Sequence, residues 1–526
     1  MTPCIFPAAC LGNSTRDPAL RFRYPIGKQE HAERCNEEWG HQQTCGGRRC
    51  RLCATCRRGF KRFGHGRCRE CPAATNNRLL LAGGFLLTVG ALVALVWMAM
   101  GSAGSETSLA DAVRKLIINY LQVSALAAGF PLDWPGPMEV LFELQGSIST
   151  AGEHLLSPDC ELSVIPAAEA FYTKQVAYAF APLFVCGASF ALWRCIACAR
   201  GQPWRGERLG VHRADATATT PKDRAVLTLI LLLYMIYPTI CQQTLSVLSC
   251  RQVGDWQYLS ADLEEPCWRD RHLAYALGLA APQVVLYVFG LPFLAAYMMY
   301  RNRDRMTDHV VHFRYGMLYS GYRVERYYWE VLVAMRKAFI IILSTFGSLI
   351  RVRVQTHLAL LLLMAALVLH AGGKPFVAPS LQQLEAAGLV TCWFTMWCGL
   401  LFYQEGLSQT MGVLITVVIV SVNTVYMVVI GVFLVYHTLK EQASARRCRC
   451  LRGMFERAGV DVSVEDQGSH GAVELASVHL DGADRVEGTQ VNDEDWTQHY
   501  SVKHGIPFYQ NRATGEVTWE KPGASK

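Results

Sequence analysis

Residues 411–436 read MGVLITVVIVSVNTVYMVVIGVFLVY and contain no charged side chain. A bilayer core about 30 Å thick is crossed by about 20 helical residues, because a helix satisfies its own backbone polar groups without water. This run is long enough to meet that requirement. It therefore predicts a transmembrane helix.

Similar runs recur upstream of this one. Six are clear, over residues 79–100, 171–193, 225–247, 273–299, 356–371 and 385–403. A further run, 327–350, contains Arg336 and Lys337, and another, 116–132, is short and polar. One such run could be a buried helix of a soluble protein, but their repetition, with only 18% charged residues overall, argues against that class. The sequence predicts an all-α polytopic membrane bundle of eight helices, or nine if 116–132 is included.

The distribution of basic residues predicts the orientation. Loops 194–224 and 300–326 and the stretch after residue 436 are basic, whereas loop 248–271 is acidic. We therefore expect the C-terminus in the cytoplasm. Eight helices would place the N-terminus inside, as its basic residues favour, and nine would place it outside, as its cysteines favour. We expect it outside.

The chain divides into four predicted regions. These are a Cys-rich segment (1–78), a transmembrane domain (79–436), a disordered cytoplasmic linker (437–492) and a small C-terminal module (493–524). Residues 1–34 lack the pattern of a secretory signal peptide, so 79–100 acts as a signal anchor unless the chain continues upstream. We expect a plasma-membrane or endomembrane protein.

Nine of the 20 cysteines precede residue 72. Cys53, Cys56, Cys68 and Cys71 form two CxxC pairs, a spacing that fits either a zinc site or a disulfide-stapled module. Few apolar residues surround them, and we favour disulfides. Asn13 begins a glycosylation sequon, which would be used if this end is luminal.

Loop 248–271 contains Cys250 and Cys267, which an oxidising compartment would allow to pair. Cys160, outside in the nine-helix arrangement, is a competing partner.

Charged residues inside predicted spans are expensive and suggest function. Glu330, Arg336 and Lys337 share one run, and Glu330 is too far from the two cations for i,i+4 pairing. We consider two roles, permeation or gating, and structural pairing with Lys174, Glu385 or Glu330. The sequence shows no catalytic constellation or cofactor motif, and no His/Cys metal cluster in the apolar runs, so an enzyme is not expected. Nucleic-acid binding is not expected either, since the basic residues lie in loops between apolar runs.

The predicted cytoplasmic tail begins with a basic stretch, 446–452, that attracts anionic lipid. Cys448 and Cys450 within it are candidates for acylation. The alternative is a simple stop-transfer segment.

Residues 496–522 contain three short predicted strands separated by glycine turns, with Trp496, Trp519 and Pro522 at the ends. The pattern resembles a WW domain. That resemblance assigns the hydrophobic core to Trp496, Tyr509, Asn511 and Pro522. It assigns the binding face for a polyproline-II ligand to Phe508, Trp519, Gln510, Arg512 and Val517. Arg512 stands where many members have histidine, so the ligand class stays open.

Several motifs in the apolar region also carry a resemblance. They are LIINYLQ (116–122), Cys250 with Cys267, LYSGYR (318–323), YYWE (327–330) and Arg336-Lys337. Together they resemble multi-pass proteins of algae and other protists described as transient-receptor-potential-like, and the Cys-rich segment resembles ephrin-receptor-like repeats. The resemblance implies a cation channel coupled through its tail to proline-rich cytoplasmic partners. The alternatives are a non-conducting receptor or scaffold and, third, a secondary transporter.

Overall fold

A computed structural model of the chain describes residues 9, 35–45, 47–63, 67–102, 109–132, 134–149, 159–162, 167–204, 219–347, 350–403, 407–444, 496–501, 506–511 and 517–518. These residues fall into two compact units, Met1–Val464 and Glu465–Lys526, which we describe separately. The predictions for Asn13, Cys448, Cys450, Arg512, Trp519 and Pro522 concern residues outside the described ones.

The first unit is mostly helical. Its helices are α1 (Ala74–Ser102), α2 (Leu109–Ala127), α3 (Gly136–Ser149), α4 (Asp159–Leu162), α5 (Ala167–Ala199), α6 (Pro221–Leu248), α7 (Asp270–Tyr275), α8 (Ala281–Gln283), α9 (Gly290–Arg301), α10 (His309–Tyr319), α11 (Trp329–Phe346), α12 (Val352–Gly373), α13 (Pro379–Phe402) and α14 (Gln409–Ser444). Short 3₁₀ turns lie at Glu37–Trp39, Arg51–Cys53, Arg303–Arg305 and Val324–Arg326.

Seven helices among the described residues are long and apolar enough to cross a membrane. They cover Ala74–Gly101, Ala168–Ala199, Pro221–Leu248, Asp270–Arg301, Val352–Gly373, Pro379–Phe402 and Gln409–Glu441. Each corresponds to one of the predicted apolar runs. These helices indicate an integral membrane protein with a helical bundle.

The count of seven differs from the predicted eight or nine. The two runs that are not among the seven are helical but carry charge: α11 contains Glu330, Arg336 and Lys337, and α2 contains Lys115. Their side chains are largely buried in the protein, and the core cluster includes Leu116, Leu121 and Ile341. Neighbouring helices cover α2, and Lys115, Asn119 and Gln122 each have hydrogen-bond partners within the protein.

The span Asp270–Arg301 is continuous but irregular. Wider π-helical turns, Ala276–Ala280 and Val284–Phe289, separate α7, α8 and α9. Pro292 lacks an N–H, so it cannot donate to the Val288 carbonyl one turn earlier. That carbonyl accepts a hydrogen bond from the Tyr237 hydroxyl of α6, at 3.0 Å. The prolines and glycines of this run thus accompany widened turns.

The segment before α1 is small and disulfide-linked. Strands β1 (Thr44–Cys45) and β2 (Arg48–Arg49) form one antiparallel pair, and β3 (Phe60–Phe63) and β4 (Arg67–Glu70) form another. Disulfides join Cys35 to Cys53, Cys45 to Cys50 and Cys56 to Cys68. A fourth bond, Cys71–Cys160, ties this head segment to α4. The region is therefore a disulfide module, as favoured from the sequence.

The loop between α6 and α7 forms a small sheet. Its strands, β5 (Cys250–Val253), β6 (Trp256–Leu259) and β7 (Asp262–Pro266), are antiparallel in the order β5-β6-β7. The Cys250–Cys267 disulfide closes it. The second unit contains another antiparallel sheet, of β8 (Trp496–Ser501), β9 (Ile506–Asn511) and β10 (Val517–Thr518), with β9 in the middle.

Candidate functional site: a buried charged cluster

The charged residues of α11 meet the polar side of α2 inside the bundle. Glu330 is 3% exposed, Lys337 2% and Lys115, on α2, also 2%. Burial of ionised groups is unfavourable unless they are paired and hydrogen-bonded. We call the arrangement of these groups the charged cluster, and its ion pairs and hydrogen bonds must offset the desolvation of its charges.

Glu330 lies at the centre of one half of the cluster. Its Oε2 is 3.3 Å from the Lys115 ammonium and accepts a hydrogen bond from the Tyr322 hydroxyl at 2.9 Å. Lys115 also donates to the Ser320 carbonyl at 3.0 Å and lies 3.9 Å from the Tyr322 ring centroid. The carboxylate thus has a cation and hydroxyl donors, which together offset its desolvation.

Tyr234 of α6 connects this half to the next. Its hydroxyl lies 2.8 Å from Glu330 Oε1 and also contacts Asn119 Oδ1. A hydroxyl carries one proton, so it donates to only one of these oxygens at a time. The two acceptors therefore compete for one proton.

Lys337 lies on the other side of Asn119. Its ammonium donates to Asn119 Oδ1 at 2.6 Å and to Gln122 Oε1 at 2.7 Å, and it is 4.6 Å from the Tyr234 ring centroid. Its hydrogen-bond partners are neutral amide oxygens. Among the described residues, no carboxylate oxygen lies within ion-pair distance of it.

Arg336 faces a different helix. Two of its guanidinium nitrogens, Nη1 and Nη2, donate to Glu385 Oε1 of α13, at 3.1 and 3.2 Å. Its Nε has no hydrogen-bond partner among the described residues. Of the pairing partners considered from the sequence, the structure brings Glu385 to Arg336. Lys174, on α5, is not among the described contacts of the cluster.

Glycine permits the chain turn that contributes Ser320 and Tyr322. Gly321 has φ +82°, a left-handed conformation that L side chains rarely adopt. A Cβ at this position would also lie 2.7 Å from the Cβ of Ala112 on α2. The close approach of the 320–322 turn to α2 is what places the Ser320 carbonyl on Lys115.

A second polar contact lies deeper among α2, α13 and α14. The Tyr120 hydroxyl donates to Asn423 Oδ1 at 2.6 Å, and Asn423 Nδ2 donates to Thr395 Oγ1 at 3.0 Å. All three residues are buried. These bonds fix α2 to the last two helices.

The head segment packs against the sheet of the α6–α7 loop. The Arg51 guanidinium lies 2.5 Å from Glu264 Oε2, and the Arg51 backbone N–H donates to Glu264 Oε1 at 2.7 Å. Leu52 and Ala54 form a small buried apolar cluster with Leu263. The head is therefore joined to the bundle by a disulfide, an ion pair and apolar contact.

Sequence reasoning named Glu330, Arg336 and Lys337 but missed Lys115, Tyr234 and Tyr322. A usable indication was present on α2, where Lys115, Asn119 and Gln122 follow at i, i+4 and i+7, the spacing of one helix face. No such indication marked the partners Tyr234 and Tyr322, because tyrosine in an apolar run is equally typical of core packing.

Comparisons with known proteins give one relative and no family. No family model and no solved structure match the chain. Cysteine repeat modular protein A of Toxoplasma gondii is 20% identical over 450 residues, which are 73% of this chain. The chain spans 14% of the length of that curated relative.

Proposed function

We propose that the chain is a multi-pass membrane protein of the transient-receptor-potential-like kind, in which the charged cluster controls a path for cations. The observation that carries this proposal is the convergence of its distinctive motifs. LIINYLQ supplies Asn119 and Gln122, LYSGYR supplies Ser320 and Tyr322, YYWE supplies Glu330, and Arg336-Lys337 completes the set. Motifs more than 200 residues apart in sequence thus form one buried ionic network.

An orientation follows from the disulfides. The bonds Cys71–Cys160 and Cys250–Cys267 and the head segment's own bonds suit an oxidising compartment. The Arg51–Glu264 ion pair holds the head beside the loop that contains Cys250. We infer that the head, α4 and the α6–α7 loop face outward. This orientation requires nine membrane crossings, with α2 and α11 added to the seven apolar helices. It places the tail in the cytoplasm.

In the structure each carboxylate of the charged cluster, Glu330 and Glu385, contacts a cation of the protein. A cavity of about 10 Å³ near α2 and α13, lined by Val123, Phe130 and Met396, is just large enough for one water molecule. Conduction therefore requires Glu330 to exchange Lys115 for a permeating cation, with α11 moving relative to α2.

Reconstitution in liposomes with a cation-sensitive dye, or recording in planar bilayers, tests this function. Cation current that changes in conductance or selectivity in Glu330→Gln, but not in Glu325→Gln, supports it. Glu325 is a matched control because it is exposed and lies one turn before α11. Wild-type protein that is folded, as judged by thermal unfolding, and gives no current under any applied voltage or osmotic stress would refute conduction.

A second candidate function, a non-conducting receptor or scaffold, is favoured by the attachment of the head. The Cys71–Cys160 disulfide and the Arg51–Glu264 pair transmit displacement of the head to α4 and to the α6–α7 loop. In that case the charged cluster has a structural role and holds the helices together. Absence of current, together with a change in protease sensitivity of the tail when the head is bound by an antibody fragment, would favour this function.

We also propose that the tail binds proline-rich cytoplasmic segments through a WW-like module. Support comes from the sequence pattern, and an antiparallel three-stranded backbone with Trp496 opposite Asn511 in register is compatible with it. A proline-rich peptide array probed with the chain tests the proposal. Trp519→Ala should abolish the bound spots and Glu520→Ala should retain them. Equal binding by Trp519→Ala and wild type would refute a working groove.

A further inference from the structure

Cysteines of two kinds lie at opposite ends of α5. Before its start lies Cys160, bonded to Cys71, and near its end lie Cys195 and Cys198, both with free thiols and both exposed. About 45 Å of helix separates Ala167 from Cys198 at 1.5 Å rise per residue. One end of this helix thus belongs to the disulfide-forming side, and its other end carries accessible thiols.

The charges of α5 indicate its depth in a bilayer. Residues 175–193 contain no charged side chain and lie between Lys174 and Arg194. That interval is about 30 Å of helix, which matches the hydrocarbon core. Cys195 and Cys198 follow directly after Arg194, so they lie in the interfacial layer.

Aromatic contacts support this position. The Arg194 guanidinium lies 6.0 Å from the Trp204 ring centroid, and Trp204 also contacts Phe190. Tryptophan and basic residues of this kind are enriched at membrane interfaces. The basic loop 194–224 that follows favours the cytoplasmic side.

The contacts of α5 with α6 show which side of α5 carries the two thiols. Trp193 donates to Thr228 at 3.1 Å and Ser189 donates to the Ala225 carbonyl at 3.0 Å, so this face of α5 is packed on α6. Cys195 and Cys198, three residues apart, lie on the outward side with Leu192, which is 57% exposed. Nothing in the described structure covers them.

We propose that Cys195 and Cys198 are sites of reversible S-acylation by long-chain acyl groups. The acyl donor is an acyl-coenzyme A thioester, delivered by a membrane acyltransferase. The cysteine thiolate attacks the thioester carbonyl, the bond from that carbonyl to the coenzyme sulfur breaks, and coenzyme A leaves as its thiol with the proton that the cysteine lost. The acyl chain then enters the hydrocarbon core beside α5. The inference rests on the proposed orientation, because this donor is cytosolic.

The test counts thioesters on the full chain expressed in eukaryotic cells, in a Cys448→Ser, Cys450→Ser background that removes the candidate tail sites. Free thiols are blocked with N-ethylmaleimide in denaturant without reductant. Hydroxylamine then cleaves thioesters, and a maleimide-polyethylene glycol tag of about 5 kDa reports each thiol released. Up to two tags are expected, and Cys195→Ser with Cys198→Ser should remove them. Cys186→Ser, in the middle of the same helix, should leave them unchanged.

The proposal is overturned if no hydroxylamine-dependent tag appears, or if the same tags persist in the Cys195→Ser, Cys198→Ser variant. A second measurement separates this failure from a wrong orientation. A membrane-impermeant maleimide applied after hydroxylamine should label Cys195 and Cys198 only in permeabilised cells. Labelling in intact cells would overturn the orientation and the acylation together, whereas labelling confined to permeabilised cells without hydroxylamine dependence would overturn the acylation alone.

Discussion

Arg336 of α11 and Glu385 of α13 form a buried ion pair, with both side chains about 9% exposed and the closest atoms 3.1 Å apart. The ion pair joins two helices that are separated in the sequence by the whole of α12. Removing one partner of a buried pair leaves an uncompensated charge, which costs more than removing both. The pair is therefore best examined as a thermodynamic cycle.

Arg336→Met alone and Glu385→Gln alone should each lower the free energy of unfolding by about 3–5 kcal/mol. The double variant should lose much less than the sum. Unfolding in detergent, followed by heat or by a denaturant suited to membrane proteins, measures the cycle, with exposed Arg303→Ala as the control. Simple additivity of the two losses would contradict a direct pair.

A second thermodynamic cycle pairs Lys337 with Gln122, a neutral hydrogen-bond partner. Lys337→Met leaves Asn119 Oδ1 without one donor and Gln122 Oε1 without its ammonium, so a loss of about 1–3 kcal/mol is expected. Because replacing both members of a hydrogen bond by apolar groups is close to neutral, Gln122→Leu should recover part of this loss in the double variant. If the double variant is no more stable than Lys337→Met, the Lys337–Gln122 bond contributes nothing measurable.

The sequence predicted the apolar spans well because length and hydropathy are local properties. All seven of the apolar helices coincide with predicted runs, and predicting them needed no information about neighbouring helices. The disulfide character of the head was likewise predictable, since a segment poor in apolar residues needs covalent support. The bond from Cys71 to Cys160 was not predictable, because the partners are 89 residues apart and the spacing of the CxxC pairs does not involve Cys160.

The charged cluster shows where local reasoning fails. In the sequence, Arg336 and Lys337 interrupt run 327–350. Asn119 and Gln122 make run 116–132 a weak candidate for a membrane span. Lys337 finds its partners, Asn119 and Gln122, on the other helix, 218 and 215 residues away, whereas Arg336 pairs with Glu385 on α13. Sequence periodicity predicts that a face is polar but not which distant face it meets, so the expected count of helices and the pairing of Glu330 both depended on tertiary structure.

Close packing of helices gives a third prediction. A Cβ on Gly388 of α13 would lie 2.6 Å from the Tyr426 hydroxyl oxygen and 3.0 Å from its Cζ, and Tyr426 is buried against Tyr120. Gly388→Ala should destabilise the bundle by about 1–3 kcal/mol through overpacking. Tyr426→Phe removes the nearest of these atoms and should partly restore stability in the double variant.

Gly372→Ala on α12 is the control for this substitution. No atom lies within 4 Å of the Cβ that it adds, so it should be neutral or slightly stabilising through helix propensity. Thermal unfolding of the three variants in one detergent compares them. Equal effects at Gly388 and Gly372 would show that the Tyr426 contact is not tight.

The Cys71–Cys160 bond makes a final prediction about connectivity. A protease site inserted within residues 103–108, between α1 and α2, would cut the polypeptide into an N-terminal fragment carrying the head and α1 and a fragment carrying the rest. Under non-reducing conditions the two fragments should migrate together after cleavage and denaturation, because the disulfide crosses the cut. Cys160→Ser should release the N-terminal fragment without reductant, and Cys71→Ser should do the same, while Cys250→Ser, which breaks the separate Cys250–Cys267 bond of the α6–α7 loop, should not. Release of the fragment from the wild-type chain without reductant would show that Cys71 and Cys160 are not joined, and the covalent tie between head and bundle would be lost with it.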